Sequence, residues 1–470
     1  MRRFSQVLAA TIALSVLSSA VVQASQVSLS VAMSNPILKS NEKQTAFLKV
    51  GLEGFKMPVT TRRAPVNVAL VLDKSGSMNG QKIAEAKEAA IQAVKRLDAN
   101  DIVSVVVYDS TVEVLVPATK LTDKEAVCKK IAQVQPGGRT ALFAGVSKAA
   151  AELRKFLDRE RVNRIILLSD GMANIGPSAP SELGSLGASL KKESISVTAM
   201  GLGLGYNEDL MVKLASNSGG NHVFIEDETQ IAGIFNEEFD TVLSVVAQEV
   251  SITIDVAEGV RPVRVFGHQA EINGQKVVAT LTQLYSEQEK FLVLEVDIPA
   301  SPEGKARDIA KVSVDYDNML TRAADQLVGK ASVNFSSSDK VIAASVNAEV
   351  LEAGVLLFAN ERNKAATILR DKGDVKAARQ LLLRNADYLK RYAADLGSVQ
   401  LDAACNLNTL QSLNLDDVRW ARSRKAMVLE QYRADTQQSY GAVDLKPSTS
   451  SPRQSHKWQK LIPQKKVGKK

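Results

Sequence analysis

Five oxygen-bearing side chains stand where buried segments give way to loops. In "ALVLDKSGSMNG" (residues 69–80) an apolar run stops at Asp73, and Ser75 and Ser77 follow at alternate positions. In "IILLSDG" an apolar run again ends on an acid, Asp170, and "PGGRTALFAG" presents Thr140 behind two glycines. Carboxylates and hydroxyls are hard ligands. No thiol or imidazole accompanies them, so the set suits Mg²⁺, Mn²⁺ or Ca²⁺ rather than zinc. If Asp73 and Asp170 hold waters instead of touching the ion, its direct ligands are neutral hydroxyls and water. Such an ion stays electrophilic and keeps a position for a carboxylate from outside.

For these residues to meet, the segments carrying them must lie side by side. From about Pro65 the runs "VNVALVLD", "DIVSVVVYD", "RIILLSD", "ISVTAMGLG" and "HVFIED" alternate with helical stretches. Near-continuous apolar strands are buried on both faces, as in a parallel sheet covered by helices. Ile83, Ala86, Ala90, Val94 and Leu97 recur at spacings of three and four, giving one apolar helix face. "TVEVLVPATK" alternates and predicts an antiparallel edge strand, and a helix over about 228–246 closes the unit. The fold class predicted is α/β, a doubly wound and mostly parallel sheet over residues 65–247. In such sheets ligands bind at the carboxyl ends of the strands, where Asp73 and Asp170 lie.

Alternating strands flank this unit. "QVSLSVAMS" and "TAFLKVGLEG" lie within residues 25–64, with the turn-like connection "NPILKSNEKQ" between them, and further strands fill residues 248–338. The early strands have no partners of their own, so they are expected to join a β-sandwich into which the α/β unit is inserted. Residues 339–435 turn to helical periodicity, including a hairpin with Gly373 at its turn. Residues 436–470 are polar and basic and predict a disordered tail.

"DKSGSM", Thr140 in "GGRTALFAGV" and "LLSDG" resemble the three loops of the metal-ion-dependent adhesion site of von Willebrand factor A domains. "GLGLGYNEDLMVKLASNSGGNHVFIED" resembles the downstream part of that family, and the resemblance spans about residues 64–247. It implies that Ser75, Ser77 and Thr140 contact a metal while Asp73 and Asp170 act largely through water. The arrangement of strands around the domain is similar to secreted bacterial members and, more loosely, to inter-alpha-trypsin inhibitor heavy chains. The partner implied is a protein presenting an Asp or Glu at the top of the α/β domain, near Ser77, Met78 and Thr140, with a shift of the last helix on engagement.

Other chemistries are poorly served. "GLGLG" (201–205) lacks the Lys-Ser/Thr of a phosphate loop, no G-x-S-x-G elbow exists, and the three histidines have no Cys or His neighbours. No enzymatic activity is expected. Residues 1–24, with Arg2 and Arg3, an apolar core and "VQA", predict a cleaved signal and a periplasmic or secreted protein. Cys128 and Cys405 either pair or stand as two buried thiols. The net charge of +7 is a property of the ends. Residues 441–470 carry +7 and the leader +2, which leaves the body at −2, so no nucleic-acid partner is expected. The tail itself could attach to an anionic envelope surface. Two roles follow for the body. One is an adhesion-type module that captures an acidic residue. The other is an assembly subunit of an envelope complex whose metal is permanently occupied by a fixed neighbour.

Overall fold

The computed structural model describes residues 27–57 and 63–441. The expected leader and most of the basic tail lie outside these residues. Three strands come first: β1 (Ser28–Met33), β2 (Ile37–Lys39) and β3 (Gln44–Glu53). The α/β domain then runs β4 (Val66–Asp73), α1 (Gln81–Arg96), β5 (Ile102–Tyr108), β6 (Val112–Lys120), α2 (Lys124–Ala132), α3 (Leu142–Leu153), β7 (Val162–Ser169), α4 (Pro180–Lys192), β8 (Ile195–Leu202), α5 (Glu208–Ser218), β9 (His222–Ile225) and α6 (Ile231–Leu243). Its six strands lie in the order β6-β5-β4-β7-β8-β9, all parallel except the antiparallel edge β6.

Every residue of β4, β5, β7 and β8 is buried, because helices cover both faces of the sheet. On α1 the buried face is Ile83, Ala86, Ala89, Ala90, Ala93 and Val94. Its small residues let the helix approach the sheet closely. Emptying a site such as Leu70, fully buried, should cost about 2–5 kcal/mol.

The sandwich strands are β10 (Val245–Val256), β11 (Arg261–Phe266), β12 (Ala270–Asn273), β13 (Lys276–Tyr285), β14 (Glu289–Ile298), β15 (Ala306–Asn318) and β16 (Ala323–Ser336). One sheet is β1-β3-β14-β11 and the other β12-β13-β10-β15-β16-β2. The α/β domain is therefore an insertion, since β3 pairs along its whole length with β14. Between the sheets lies a core of alternating residues, among them Leu48, Val50, Ile252, Ile254, Leu294 and Val312.

Helices α7 (Asp339–Ser345), α8 (Ala348–Asp371), α9 (Val375–Leu396), α10 (Val399–Leu413) and α11 (Asp417–Thr436) complete the molecule. Gly373, at φ +87, turns α8 into α9. Lys49 pins α8 to the sandwich through Glu289 and Glu349, at 2.8 and 2.7 Å. Leu429 and Tyr432 of α11 enter the core of the α/β domain. Among the described residues no single helix is long and apolar enough to cross a membrane.

Several expectations need correction. The connection after β1 is not only a turn: Ile37–Lys39 pairs in parallel with Asn334–Ser336, three residues being too few to show a period. The closing helix ends at Leu243, and Val245 already begins β10; apolar residues at that junction suit a helix and a strand alike. Residues 437–441 do not belong to a disordered tail. Gln438 bonds the His222 backbone at both N–H and C=O, at 3.2 and 3.0 Å, and Tyr440 donates to Glu238. Cys128 and Cys405 are unpaired and half-buried rather than buried.

Candidate metal centre

Asp73 ends β4, at the carboxyl edge of the sheet. The next residues stay close because the loops are sewn together by backbone. Lys74 N–H donates to Tyr108 C=O at 2.8 Å, Gly137 N–H to Lys74 C=O at 2.7 Å, Gly76 N–H to Gly138 C=O at 3.0 Å, and Ala141 N–H to Asp109 C=O at 2.8 Å. An ion pair of Lys74 with Asp109 adds a side-chain tie. Gly138, at φ +78, takes a conformation that side chains rarely adopt, and a Cβ there would meet Ser110 and Asp109.

These ties bring all five predicted residues to one place. Ser75 N–H donates to Asp73 Oδ1 at 2.8 Å, Ser75 Oγ and Ser77 Oγ are 3.1 Å apart, and Ser77 Oγ donates to Asp170 Oδ1 at 2.6 Å. A Cβ placed on Gly171 would lie 2.9 Å from Thr140 Oγ1 and 3.5 Å from Ser77 Oγ. The two hydroxyls therefore face each other across a glycine that leaves the space open. Asp73, Ser75, Thr140 and Asp170 are buried, whereas Ser77 is exposed. The carboxylates thus lie behind the hydroxyls, and the approach from solvent is on the hydroxyl side.

Electrostatically the centre asks for a cation. Burial pushes the Asp73 carboxyl up, hydrogen bonds from Ser169 and Ser75 oppose this, and the charge of Asp170 pushes further upward. One cation already stands in: Lys82, from the first turn of α1, places Nζ 2.5 Å from Asp170 Oδ2. Hard oxygens converging on a seat that an ammonium reaches fit a hard divalent ion.

Sequence reasoning missed the supports. Ser169 Oγ donates to Asp73 Oδ2 at 2.5 Å, and the buried Tyr108 hydroxyl lies 3.4 Å from the same oxygen. Burial and then the Asp73 charge raise the Tyr108 phenol well above its ordinary value, so it stays a neutral donor. Asn174 holds Thr140 from both sides, accepting from its N–H at 2.9 Å and donating to its C=O at 3.1 Å. Of these only Ser169 had a visible signal, its place directly before Asp170. Met78, expected near the contact surface, is instead fully buried. The exposed apolar residues beside the centre are Met172 and Leu204, 55% and 53% exposed. The neighbouring Gly205 lies against the Asp170 carbonyl.

Residues 67–237 match the family model of the von Willebrand factor type A domain. Over 268 residues the chain is 27% identical to an uncharacterized protein of Synechocystis sp., covering 55% of this chain and 63% of that one. Over 198 residues it is 27% identical to human inter-alpha-trypsin inhibitor heavy chain H3, covering 39% and 22%. The chain thus spans less than two thirds of the length of these curated relatives. A solved structure of a von Willebrand factor type A protein from Catenulispora acidiphila, 15% identical, superposes with a TM-score of 0.65 over 88% of this chain and 97% of that one. That likeness speaks for the fold alone, and it reaches past the α/β domain into the sandwich and helices. The chain carries a von Willebrand factor type A domain, set into a β-sandwich and backed by a helical layer.

Proposed function

We propose that the protein is an exported, non-enzymatic binding module whose von Willebrand factor A domain captures an acidic side chain of a protein partner at a divalent-metal site. The observation that carries this reading is the layering of the centre. Asp73 and Asp170 are sealed beneath hydroxyls, and Ser77 faces solvent. A bound Mg²⁺, Mn²⁺ or Ca²⁺ would supply an electrophilic seat for a carboxylate. Ser75, Ser77 and Thr140 would hold the ion directly, with Asp73 and Asp170 orienting its waters. Met172 and Leu204 provide an exposed apolar rim of the kind that protein interfaces bury.

Export rests on the composition of residues 1–24, and attachment of the basic tail to an anionic envelope surface rests on its charge. The test is capture of the co-purifying partner in Mg²⁺ and its release in EDTA. The partner's acidic residues are then changed to amides one at a time. Thr140→Ala should weaken capture more than it lowers the melting temperature. Binding that survives EDTA, or that no amide substitution affects, would make the protein an assembly subunit of an envelope complex instead.

A further inference from the structure

A groove of about 1220 Å³ runs between the three layers, bounded by α4 and α5 of the α/β domain, β11 to β13 of the sandwich, and α8 and α11. None of the five metal-centre residues lines it. Most of its charges cancel locally. Arg424 holds Asp209 and Asp371 at 2.8 and 2.9 Å, and Lys364 holds Asp435 at 2.6 Å.

Lys290 is different. Five lysines and arginines of the described chain are buried: Lys49, Arg164, Lys290, Arg370 and Lys425. Four have a carboxylate partner, namely Glu289 with Glu349, Glu238, Asp417 and Glu208 respectively. Lys290 is 8% exposed, and among the described residues its ammonium has no ion pair and no hydrogen bond, standing only over the Tyr285 ring, 5.0 Å from the centroid. Burial pushes its pKa down to about 8, with the nearby Arg164 lowering it further and Glu238 opposing. It remains largely an ammonium at neutral pH. Burying an unpaired ammonium is costly, and a face that keeps one lacks an anion.

The surroundings agree. Lys191 reaches the groove and, among the described residues, is held by Thr280 alone, through its hydroxyl at 2.8 Å and its carbonyl at 3.5 Å, with no carboxylate. His268 is also on the wall. Burial, then the charges of Lys290 and Lys191, push its imidazole down to about 3 against the bond to Gln437, so it is neutral. Gln437 Oε1 accepts from Phe291 N–H at 3.1 Å, which fixes that atom as oxygen. His268 Nε2, 3.1 Å away, is therefore the protonated nitrogen, and Nδ1 is left as an acceptor. Ile272 and Ile368, 39% and 54% exposed, add apolar surface to the groove.

We infer that this groove is a second binding site, taking a ligand with an apolar body and an oxyanion head, a carboxylate or a phosphate, that pairs with Lys290 with Lys191 beside it.

The experiment uses the purified protein in EDTA, with inorganic phosphate and glutarate as probes against chloride at equal ionic strength. Calorimetry should show saturable binding of at least one probe, weakened at least about tenfold by Lys290→Met. Without anion that variant should melt no lower than the parent, because an unpaired charge has been replaced by apolar volume. A measurement that needs no variant is amine acylation at pH 8 read by mass spectrometry, where the bound probe should protect Lys290 several-fold. Binding of phosphate alone assigns a phosphate head, glutarate alone a carboxylate, and both a general oxyanion seat. Failure of both probes to protect Lys290, or equal binding by Lys290→Met, overturns the inference. Thr140→Ala should leave these results unchanged, which separates this site from the metal centre.

Discussion

Lys82 gives the proposed metal centre a competitor of its own. Its ammonium lies on Asp170, whose side chain is fully buried, while Lys82 itself is about one third exposed. A divalent ion must displace it, so Lys82→Ala should bind Mg²⁺ several-fold more tightly in calorimetry. Without metal the same variant leaves two buried carboxylates facing each other and should lose about 1–2 kcal/mol in denaturant unfolding, less than a fully buried pair because water screens the lysine. A second residue-scale expectation concerns His222. Its Nδ1 bonds the Ala199 carbonyl at 3.0 Å, and burial pushes its pKa down to about 4 from an ordinary 6.5. Below pH 6.5 the unfolded chain takes up a proton that the folded chain refuses. Stability is therefore full above pH 6.5 and falls as the pH drops toward 4, by on the order of 3 kcal/mol from this residue. His268, also depressed, acts in the same direction. Melting temperatures from pH 7.5 to 4.5 should show this, and His222→Gln should flatten the slope.

The last helix of the α/β domain, α6, is anchored at its centre. Glu238 pairs with Arg164 at 2.8 Å, both side chains fully buried, and it accepts from Asn221 at 3.0 Å and from Thr198 and Tyr440. Arg164 continues into the sandwich through Gln283 at 3.1 Å. Glu238→Gln should cost about 3–5 kcal/mol, since it leaves a buried guanidinium without its anion, and should raise hydrogen exchange along α6. With Glu238 intact, Mg²⁺ should leave exchange in α6 unchanged; an increase would restore the helix shift that the family resemblance implies. This network was invisible in the sequence. Arg164 sits inside an apolar strand and Glu238 inside a helix, and nothing in their spacing joins them. The strands around Asp73 and Asp170 were legible because burial on both faces writes an unbroken apolar run. The five metal-centre residues were legible because each falls at the end of such a run or behind paired glycines. Lys82 and Tyr108 were not, since a lysine in a first helical turn and a tyrosine ending a strand have ordinary structural reasons to be there.

At the scale of the whole molecule the layers are tied by residues far apart in sequence. Arg424 and Lys425 of α11 grip Glu208 at the start of α5, and residues 437–441 lie against β9 and α6. A chain ending at Thr436 should therefore unfold about 3 kcal/mol more easily than one ending at Gly441, having lost the bonds of Gln438 and Tyr440 to buried partners. Matched denaturant curves would check this, and equal midpoints would show that the segment adds nothing. The insertion also imposes a timetable. Thr45 bonds Asp297 across 252 residues, so β1 and β3, which pair with each other, emerge with an uncovered apolar face and a free edge long before β14 exists to receive them. The α/β domain has all its strands and helices by Leu243, its sheet pairs entirely within one stretch of chain, and it is placed to fold before the sandwich. During synthesis the earliest strands are the last to find shelter, and until β14 arrives they are the part of the chain most open to aggregation or to a chaperone.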